Sequence, residues 1–169
     1  MNYINEISEI IPHLYLSNWF TSNNTSVLNE YKIKGIITLE TRPKPDHVLM
    51  YYKNHGIDNM YINLPDSTDA GIIQYFDKTF DFINKHIHKG ENVLVHCWAG
   101  ISRSSTIVLN YIIRKMYQNN DVTTCPCRLI DEVIEYTRKK RSIINPNDGF
   151  KKQLLIVAMQ YQKDWNKNY

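Results

Sequence analysis

The sequence predicts an α/β fold: a central, twisted, mixed but mostly parallel sheet of about five strands with helices on both faces. Three observations predict it. Short aliphatic runs alternate with longer segments whose apolar residues recur every three or four positions. One short run, Val93-Leu94-Val95, is apolar throughout, as in a strand buried on both faces. No repeat or flexible linker interrupts the 169 residues, so a single domain is expected over residues 1–169.

The strands are predicted from the short apolar runs. These runs are bounded by turn-forming pairs such as Lys89-Gly90 and Pro65-Asp66, and they cover residues 13–17, 35–40, 60–64 and 92–96. Because most of them alternate with helical segments, they are expected to pair largely in parallel.

The helices are predicted from apolar periodicity over residues 72–88, 104–117, 130–139 and 148–162. The first of these has one apolar face, formed by Ile72, Phe76, Phe80, Ile83 and Ile87. His86 and His88 are expected on its polar side, near its end. Either Asn147 or Asp148 is expected to cap the last helix.

Composition and charge exclude several classes of protein. The net charge of +3 falls short of a nucleic-acid-binding signature, so no nucleic-acid partner is expected. No stretch approaches 18 uncharged apolar residues, so no membrane span is expected. The basic run 138–141 is interpreted as a solvated helix end; the alternative is a patch that attracts phosphorylated substrates.

Three cysteines, Cys97, Cys125 and Cys127, make a poor disulfide framework. Residues 1–11 contain two glutamates and no long apolar run, so no secretory signal is expected. Both observations favour an intracellular, cytoplasmic setting; a nuclear one, or a host cell or virion if the protein is viral, stays open. Cys125-Pro-Cys127 is two ligands short of a zinc site and is interpreted as an exposed loop, with a resolving thiol for Cys97 as the alternative.

The segment from Cys97 to Arg103 predicts an anion site, because it joins a buried strand to a helix. Backbone N–H groups of such a loop can point inward, the helix dipole adds positive potential, and Gly100 lets the backbone curl. A cysteine in this field ionises readily and can attack phosphorus. Arg103 can hold two phosphate oxygens, and Ser104 can donate a hydrogen bond to the sulfur. The alternative for Cys97 alone is a buried structural cysteine.

His96-Cys97-x-x-Gly100-x-x-Arg103-Ser104 resembles the signature loop of protein tyrosine phosphatases, and His-Cys-Trp-Ala-Gly-Ile-Ser-Arg-Ser resembles the dual-specificity branch. Three further segments resemble the family's first strand, general-acid loop and closing loop: 11–17, 66–76 and 141–150. The resemblance implies hydrolysis of phosphotyrosine, and of phosphoserine or phosphothreonine, in protein substrates. It implies no cofactor or metal, and it implies that phosphate, vanadate or sulfate binds in the loop.

The resemblance also assigns roles to single residues. Expelling the alcohol requires a proton donor; Asp66 matches the family's acid, and Asp69 is the other candidate, with helix capping as its alternative role. His96 is expected to orient the loop from behind. Asn147 matches a residue that supports the loop, although a plain turn or cap residue is the alternative. The residues expected to bind substrate are Trp98, Ala99, Gly100, Ile101, Ser102 and Arg103.

Three other functions stay open. Relatives that act on phosphoinositides carry lysines inside the loop, and none lies between Cys97 and Arg103. Relatives that act on RNA 5′-phosphates have Asn-Arg-Thr where this chain has Ser102-Arg103-Ser104. A pseudophosphatase would bind phosphate without turnover, but such proteins usually lack the nucleophile or the arginine. A homodimer formed through the segment before Ile11 also stays open.

Overall fold

The computed structural model describes residues 6–167. Residues 1–5 belong to the N-terminal segment that was considered for dimer contacts and for a secretory signal, and they lie outside the described residues. Its five strands are β1 (Ile7–Ile11), β2 (Leu14–Ser17), β3 (Ile33–Leu39), β4 (Asp58–Ile62) and β5 (Asn92–His96). They form one sheet in the order β1-β2-β5-β3-β4, in which only β1 is antiparallel to its neighbour. The predicted mixed, mostly parallel sheet is confirmed.

Within residues 6–167, seven α-helices surround the sheet: α1 (Trp19–Ser22), α2 (Thr25–Glu30), α3 (Asp46–Asn54), α4 (Phe76–Ile87), α5 (Arg103–Gln118), α6 (Pro126–Lys140) and α7 (Asp148–Lys167). The four predicted helices are present with shifted ends, and α4 is preceded by a 3₁₀ turn, Ile73–Tyr75. Strand β1 and helices α1–α3 were not predicted. Helices α1 and α2 have only four and six residues, too few to show a helical period.

Side chains alternate between the two faces of each strand, and the sheet has an apolar core on each face. Val93 and Val95 of β5 face the larger core, which also contains buried residues of α4, α5, α6 and α7. Leu94, between them, faces a smaller core on the other side with Leu28 of α2 and Val48 of α3. Because successive side chains of a strand point to opposite faces, a strand covered on both sides must be apolar at every position. This explains the uninterrupted Val-Leu-Val run.

His86 does not lie on a polar face, so that prediction is wrong. Its side chain is buried, with the residue 4% exposed, and its Nδ1 lies 2.6 Å from Glu91 Oε2. The ring packs against Gly35 of β3, where an added Cβ would come within 2.9 Å of it. Helix α4 therefore approaches the sheet closely at its C-terminal end. His88, two residues later, is exposed as expected.

The carboxyl ends of the parallel strands meet at one edge of the sheet. There the segments that follow β5, β3 and β4 lie side by side, the arrangement in which open α/β sheets place their ligand sites. Among residues 6–167, no helix has the length and apolar character needed to cross a bilayer.

Candidate active site

The loop between β5 and α5 curls around the sulfur of Cys97. Gly100 has φ +69°, and its N–H donates to Cys97 Sγ across 3.3 Å. A Cβ at this position would collide with the backbone carbonyl oxygen of Ser17 at the end of β2. Glycine is therefore required both for the left-handed conformation and for the close approach of two chain segments.

Two carbonyl groups of the loop point away from the sulfur. The oxygens of Ala99 and Gly100 accept hydrogen bonds from Arg141, at 3.4 Å and 3.0 Å. In a trans peptide the C=O and the following N–H point in opposite directions. The N–H groups of Gly100 and Ile101 are therefore turned inward, as an oxyanion-binding loop requires.

The sulfur lies at the start of a long helix. Cys97 is 1% exposed, and its Sγ is 3.1 Å from Ser104 Oγ in the first turn of the 16-residue α5. The N-terminal end of a helix carries positive potential, which suits an anion bound at this position. The serine hydroxyl can donate to a thiolate, as the sequence suggested for Ser104.

Arg103 is buried next to the loop. Its Nη1 donates to the carbonyl oxygen of Leu64 at 3.0 Å and lies 3.5 Å from Glu40 Oε1. Its Nε lies 3.6 Å from Asp66 Oδ2 and has no hydrogen-bond partner within residues 6–167. Buried donors are normally satisfied, so a guanidinium N–H without a hydrogen-bond acceptor, on the residue that follows the loop, fits an oxyanion.

Glu40 is a site residue that sequence reasoning missed, because it was counted only as the last residue of a strand. The side chain is buried, its Oε1 accepts from the backbone N–H of Thr41 at 2.9 Å, and it provides a counter-charge for Arg103. A signal was available in the sequence. A charged residue directly after a buried parallel strand falls at the edge of the sheet where sites form.

Asp66 reaches the loop from the segment after β4. Its Oδ1 accepts from Ser102 Oγ at 2.7 Å and from Asn147 Nδ2 at 2.9 Å. The backbone N–H of Asn147 donates in turn to Ser102 Oγ at 3.1 Å. Three distant parts of the sequence thus hold one carboxylate at the loop, half-exposed and beside Arg103.

Asn147 also caps α7, because its Oδ1 accepts from the backbone N–H of Phe150 at 2.9 Å. The two roles considered for this residue are therefore combined. Asp69 is not a cap: the following 3₁₀ turn begins after Ile72, without a side-chain hydrogen bond. The Ser67 hydroxyl lowers the pKa of the exposed Asp69, and no contact joins Asp69 to the loop in the region the structure covers.

His96 lies behind the loop, at the end of β5. Its Nδ1 donates to the carbonyl oxygen of Cys97 at 3.4 Å, and its Nε2 accepts from the Thr38 hydroxyl at 2.8 Å. Burial, and then the nearby charge of Lys44, lower its pKa well below the usual value. A neutral imidazole fits both hydrogen bonds and agrees with an orienting role.

Lys44 is a buried cation near the site. Its Nζ donates to Ser22 Oγ at 2.7 Å and to Asn23 Oδ1 at 2.8 Å. Burial lowers the pKa of this amine from 10.5 to about 7, and the charge of Glu40 opposes the shift. Below pH 7 the fold must therefore hold a poorly solvated charge.

The pKa of Lys44 predicts a pH-dependent stability. Between pH 7 and pH 10.5 the folded chain has released a proton that the unfolded chain still holds, so stability rises with pH. From pH 7 to about pH 9 the free energy of unfolding of wild type should increase by about 1–2 kcal/mol relative to Lys44→Met. Urea unfolding at each pH measures this. Parallel pH curves for the two proteins would contradict it.

Arg141 was predicted to be part of a solvated basic helix end, and that prediction is wrong. The residue is 4% exposed, and desolvation lowers its pKa. The chain turns at the end of α6, so that the guanidinium enters behind the loop, while Lys139 and Lys140 remain exposed. Because the residues around it are also basic, the sequence alone could not identify Arg141 as the arginine that contacts the loop.

Arg141→Met should therefore weaken both the fold and the site. Losing two hydrogen bonds from a charged donor is expected to lower the free energy of unfolding by about 2 kcal/mol. A displaced loop is expected to lower kcat/KM for an aryl phosphate by about tenfold. Urea unfolding and steady-state kinetics measure the two effects. Lys139→Met is the matched control, and equal behaviour of both variants would show that Arg141 supports nothing.

Trp98 forms the outer wall of the site. It is 37% exposed, the guanidinium of Arg42 lies 4.0 Å from its ring centroid, and Phe20 packs beside it. These groups adjoin an open groove of about 410 Å³ that Ala99 and Ile101 also line. The lining also includes Arg141, which lies behind the loop, so substrate contact by Trp98, Ala99 and Ile101 stays a prediction. Ser102 contacts Asp66.

Cys125 and Cys127 lie away from this loop arrangement. Both are exposed, as predicted; Cys125 ends the loop before α6 as its N-cap residue, whereas Cys127 lies inside the helix. Residues 6–167 contain no cluster of three or more histidine, cysteine or acidic side chains that could hold a metal ion.

The sequence and the fold both match known proteins. Residues 14–160 match the family described as dual specificity phosphatase, catalytic domain. The tyrosine-protein phosphatase yvh1 of Schizosaccharomyces pombe is 32% identical over 163 residues, which are 95% of this chain and 44% of that protein. The putative tyrosine phosphatase 123R of Invertebrate iridescent virus 6 is 36% identical over 150 residues, which are 88% of this chain and 89% of that one.

A solved structure agrees with these matches. The crystal structure of DUSP15 superposes with a TM-score of 0.76 and 28% sequence identity, covering 98% of this chain and 97% of that one. The chain spans 35–44% of the length of relatives from Schizosaccharomyces pombe, Drosophila melanogaster and human. With a family match across most of its residues and a fold shared with DUSP15, the chain belongs to the dual specificity phosphatase family.

Proposed function

We propose that this chain is a protein phosphatase that hydrolyses phosphotyrosine, and also phosphoserine and phosphothreonine, through a phosphocysteine intermediate on Cys97. One observation supports it most. The sulfur lies beneath inward-turned amides at a helix N-terminus, and the loop ends at a buried arginine, Arg103, whose Nε has no hydrogen-bond partner within residues 6–167. These groups together suit a tetrahedral dianion above a nucleophile.

In the first step the Cys97 thiolate attacks phosphorus, and the bond to the substrate oxygen breaks. Arg103 and the amides of the loop hold the equatorial oxygens, where charge grows in the transition state. Asp66 donates a proton to the departing alkoxide or phenolate. Its contact with Ser102 keeps it close to the loop.

In the second step water attacks the phosphocysteine. Asp66, now ionised, accepts a proton from that water, and phosphate leaves from the sulfur. Ser104 Oγ, 3.1 Å from the sulfur, donates to the thiolate as it forms and so makes it a better leaving group. Asn147 and His96 touch no reacting atom; they hold the carboxylate and the loop in position.

The proposal that phosphotyrosine, phosphoserine and phosphothreonine are all substrates is supported by the family to which the chain belongs. Relatives at 31–36% identity carry the names dual specificity protein phosphatase and tyrosine-protein phosphatase. The exposed ring of Trp98 and the positive charge of Arg42 above it lie next to the loop and would contact the protein segment around a phosphorylated side chain. An intracellular setting would keep the thiol reduced.

Orthovanadate tests the mechanism directly. It mimics five-coordinate phosphorus, so it is expected to inhibit hydrolysis of p-nitrophenyl phosphate competitively. A chelator is expected to leave the rate unchanged, because the proposed nucleophile is a thiolate rather than metal-bound water. Loss of activity on chelation that is restored by added metal would contradict this proposal.

A substrate panel separates this function from the alternatives. Phosphotyrosine, phosphothreonine and phosphoserine peptides, a phosphoinositide and a 5′-phosphorylated RNA are assayed side by side, with Cys97→Ser as the blank. The highest kcat/KM is expected for phosphotyrosine peptides, with measurable turnover of phosphothreonine. Preference for the lipid or the RNA would overturn the substrate class, and binding of phosphate without turnover would indicate a pseudophosphatase.

A further inference from the structure

Two thiols that the phosphatase site does not use lie against each other on the surface. The Sγ atoms of Cys125 and Cys127 are 2.9 Å apart, and both residues are exposed. A disulfide bond is about 2.05 Å long, so closing the gap needs a movement of about 0.9 Å. Cys97 is buried and belongs to the other site, whereas a reagent in solution can reach Cys125 and Cys127 without entering that site.

Local structure holds the pair in place. Cys125 is the N-cap residue of the 15-residue α6, Pro126 occupies the first helical position, and Cys127 follows in the first turn. Proline at this position restricts the backbone to the helical φ, so little conformational entropy remains to be lost when the two sulfurs meet. The pair is therefore preorganised rather than brought together by chance side-chain motion.

The two sulfurs are chemically unequal. Hydrogen bonding from the Cys127 thiol, and then the backbone N–H of Arg128, lower the pKa of Cys125. The same contact raises the pKa of Cys127. An exposed thiol of lowered pKa next to a thiol of raised pKa is the arrangement of a nucleophilic and a resolving cysteine.

We propose that Cys125 and Cys127 form a second reactive site, which exchanges thiols with small-molecule disulfides such as glutathione disulfide. The Cys125 thiolate attacks one sulfur of the disulfide; that S–S bond breaks, a mixed disulfide forms and one glutathione thiolate leaves. Cys127 gives its proton to solvent and attacks the Cys125 sulfur, releasing the second glutathione. The pair loses two electrons, and one glutathione disulfide becomes two glutathione molecules.

Peptide mapping of the full chain tests this site. Cleavage after Lys115 and Arg128 yields one peptide, residues 116–128, with both thiols; Cys97 falls in a different peptide. The chain is equilibrated with reduced and oxidised glutathione, quenched with acid, alkylated and digested. Peptide 116–128 is expected to lack two hydrogens and to carry no alkyl group. Two free thiols, or a separate glutathione on each cysteine, would overturn the proposal.

Single substitutions test the order of the two steps. Cys127→Ser keeps a hydroxyl donor beside Cys125, so a stable mixed disulfide is expected to accumulate on Cys125. Cys125→Ser is expected to react at Cys127 at least about threefold more slowly, since less of that thiol is ionised. Equal rates in the two variants would contradict the assignment of Cys125 as the attacking thiol.

Discussion

Cys97→Ser is expected to lower kcat for p-nitrophenyl phosphate by about 10⁴-fold or more, the scale of loss when a covalent nucleophile is removed. A serine hydroxyl is far less ionised than a thiol, and within residues 6–167 no base hydrogen-bonds to the sulfur of residue 97 to activate it: His96 contacts the loop backbone and Thr38 instead. Stopped assays at high enzyme concentration measure the residual rate.

The same substitution should leave phosphate binding intact. The loop amides, Arg103 and the helix end all remain, so Cys97→Ser is expected to retain a phosphotyrosine peptide that it cannot hydrolyse. Calorimetry on the variant measures this. Cys125→Ser is the matched control, because it makes the same change at an exposed cysteine and should keep the aryl phosphatase rate. Turnover by Cys97→Ser near the wild-type rate would end the phosphocysteine mechanism.

Asp66→Asn is expected to slow hydrolysis of substrates with poor leaving groups by about 10²–10³-fold, the usual contribution of a general acid. An amide oxygen can still accept from Ser102, so the local structure should survive while the transferable proton is lost. The loss should shrink as the leaving group becomes more acidic, because a stable phenolate departs without protonation. A series of substituted aryl phosphates measures that dependence.

Asp69→Asn is the control for this prediction. Both aspartates lie in the same segment, but only Asp66 contacts the loop and lies near Arg103. Asp69→Asn is therefore expected to behave as wild type throughout the series. The reverse result, a large loss at Asp69 and none at Asp66, would show that the wrong carboxylate had been assigned.

The central sheet and the loop could be predicted because their signals are local. An apolar run such as Val93-Leu94-Val95 requires burial on both faces, and this alone favours an inner strand. The nucleophile, glycine and arginine lie within seven consecutive residues, 97–103, so their spacing along the chain already constrains their spacing in the structure. The short helices α1 and α2 were not predicted, because one or two helical turns show no periodicity of apolar residues.

The support of the loop could not be predicted in the same way. In the sequence, Arg141 is one of four consecutive basic residues. Its burial depends on how the chain turns at the end of α6 and meets residues some 40 positions earlier. Glu40 becomes a counter-charge only because β3 and β5 are neighbours in the sheet. Side-chain environment, rather than residue type, decides these roles.

By itself, the sequence determined the α/β class and the contiguous loop that holds Cys97 and Arg103, because hydrophobic periodicity and short-range spacing are properties of neighbouring residues. Only the tertiary structure decided that Asp66, Ser102 and Asn147 share one hydrogen-bonded group and that Arg141 lies beneath the loop. Those contacts join residues 36 to 81 positions apart, and chain folding alone sets such distances.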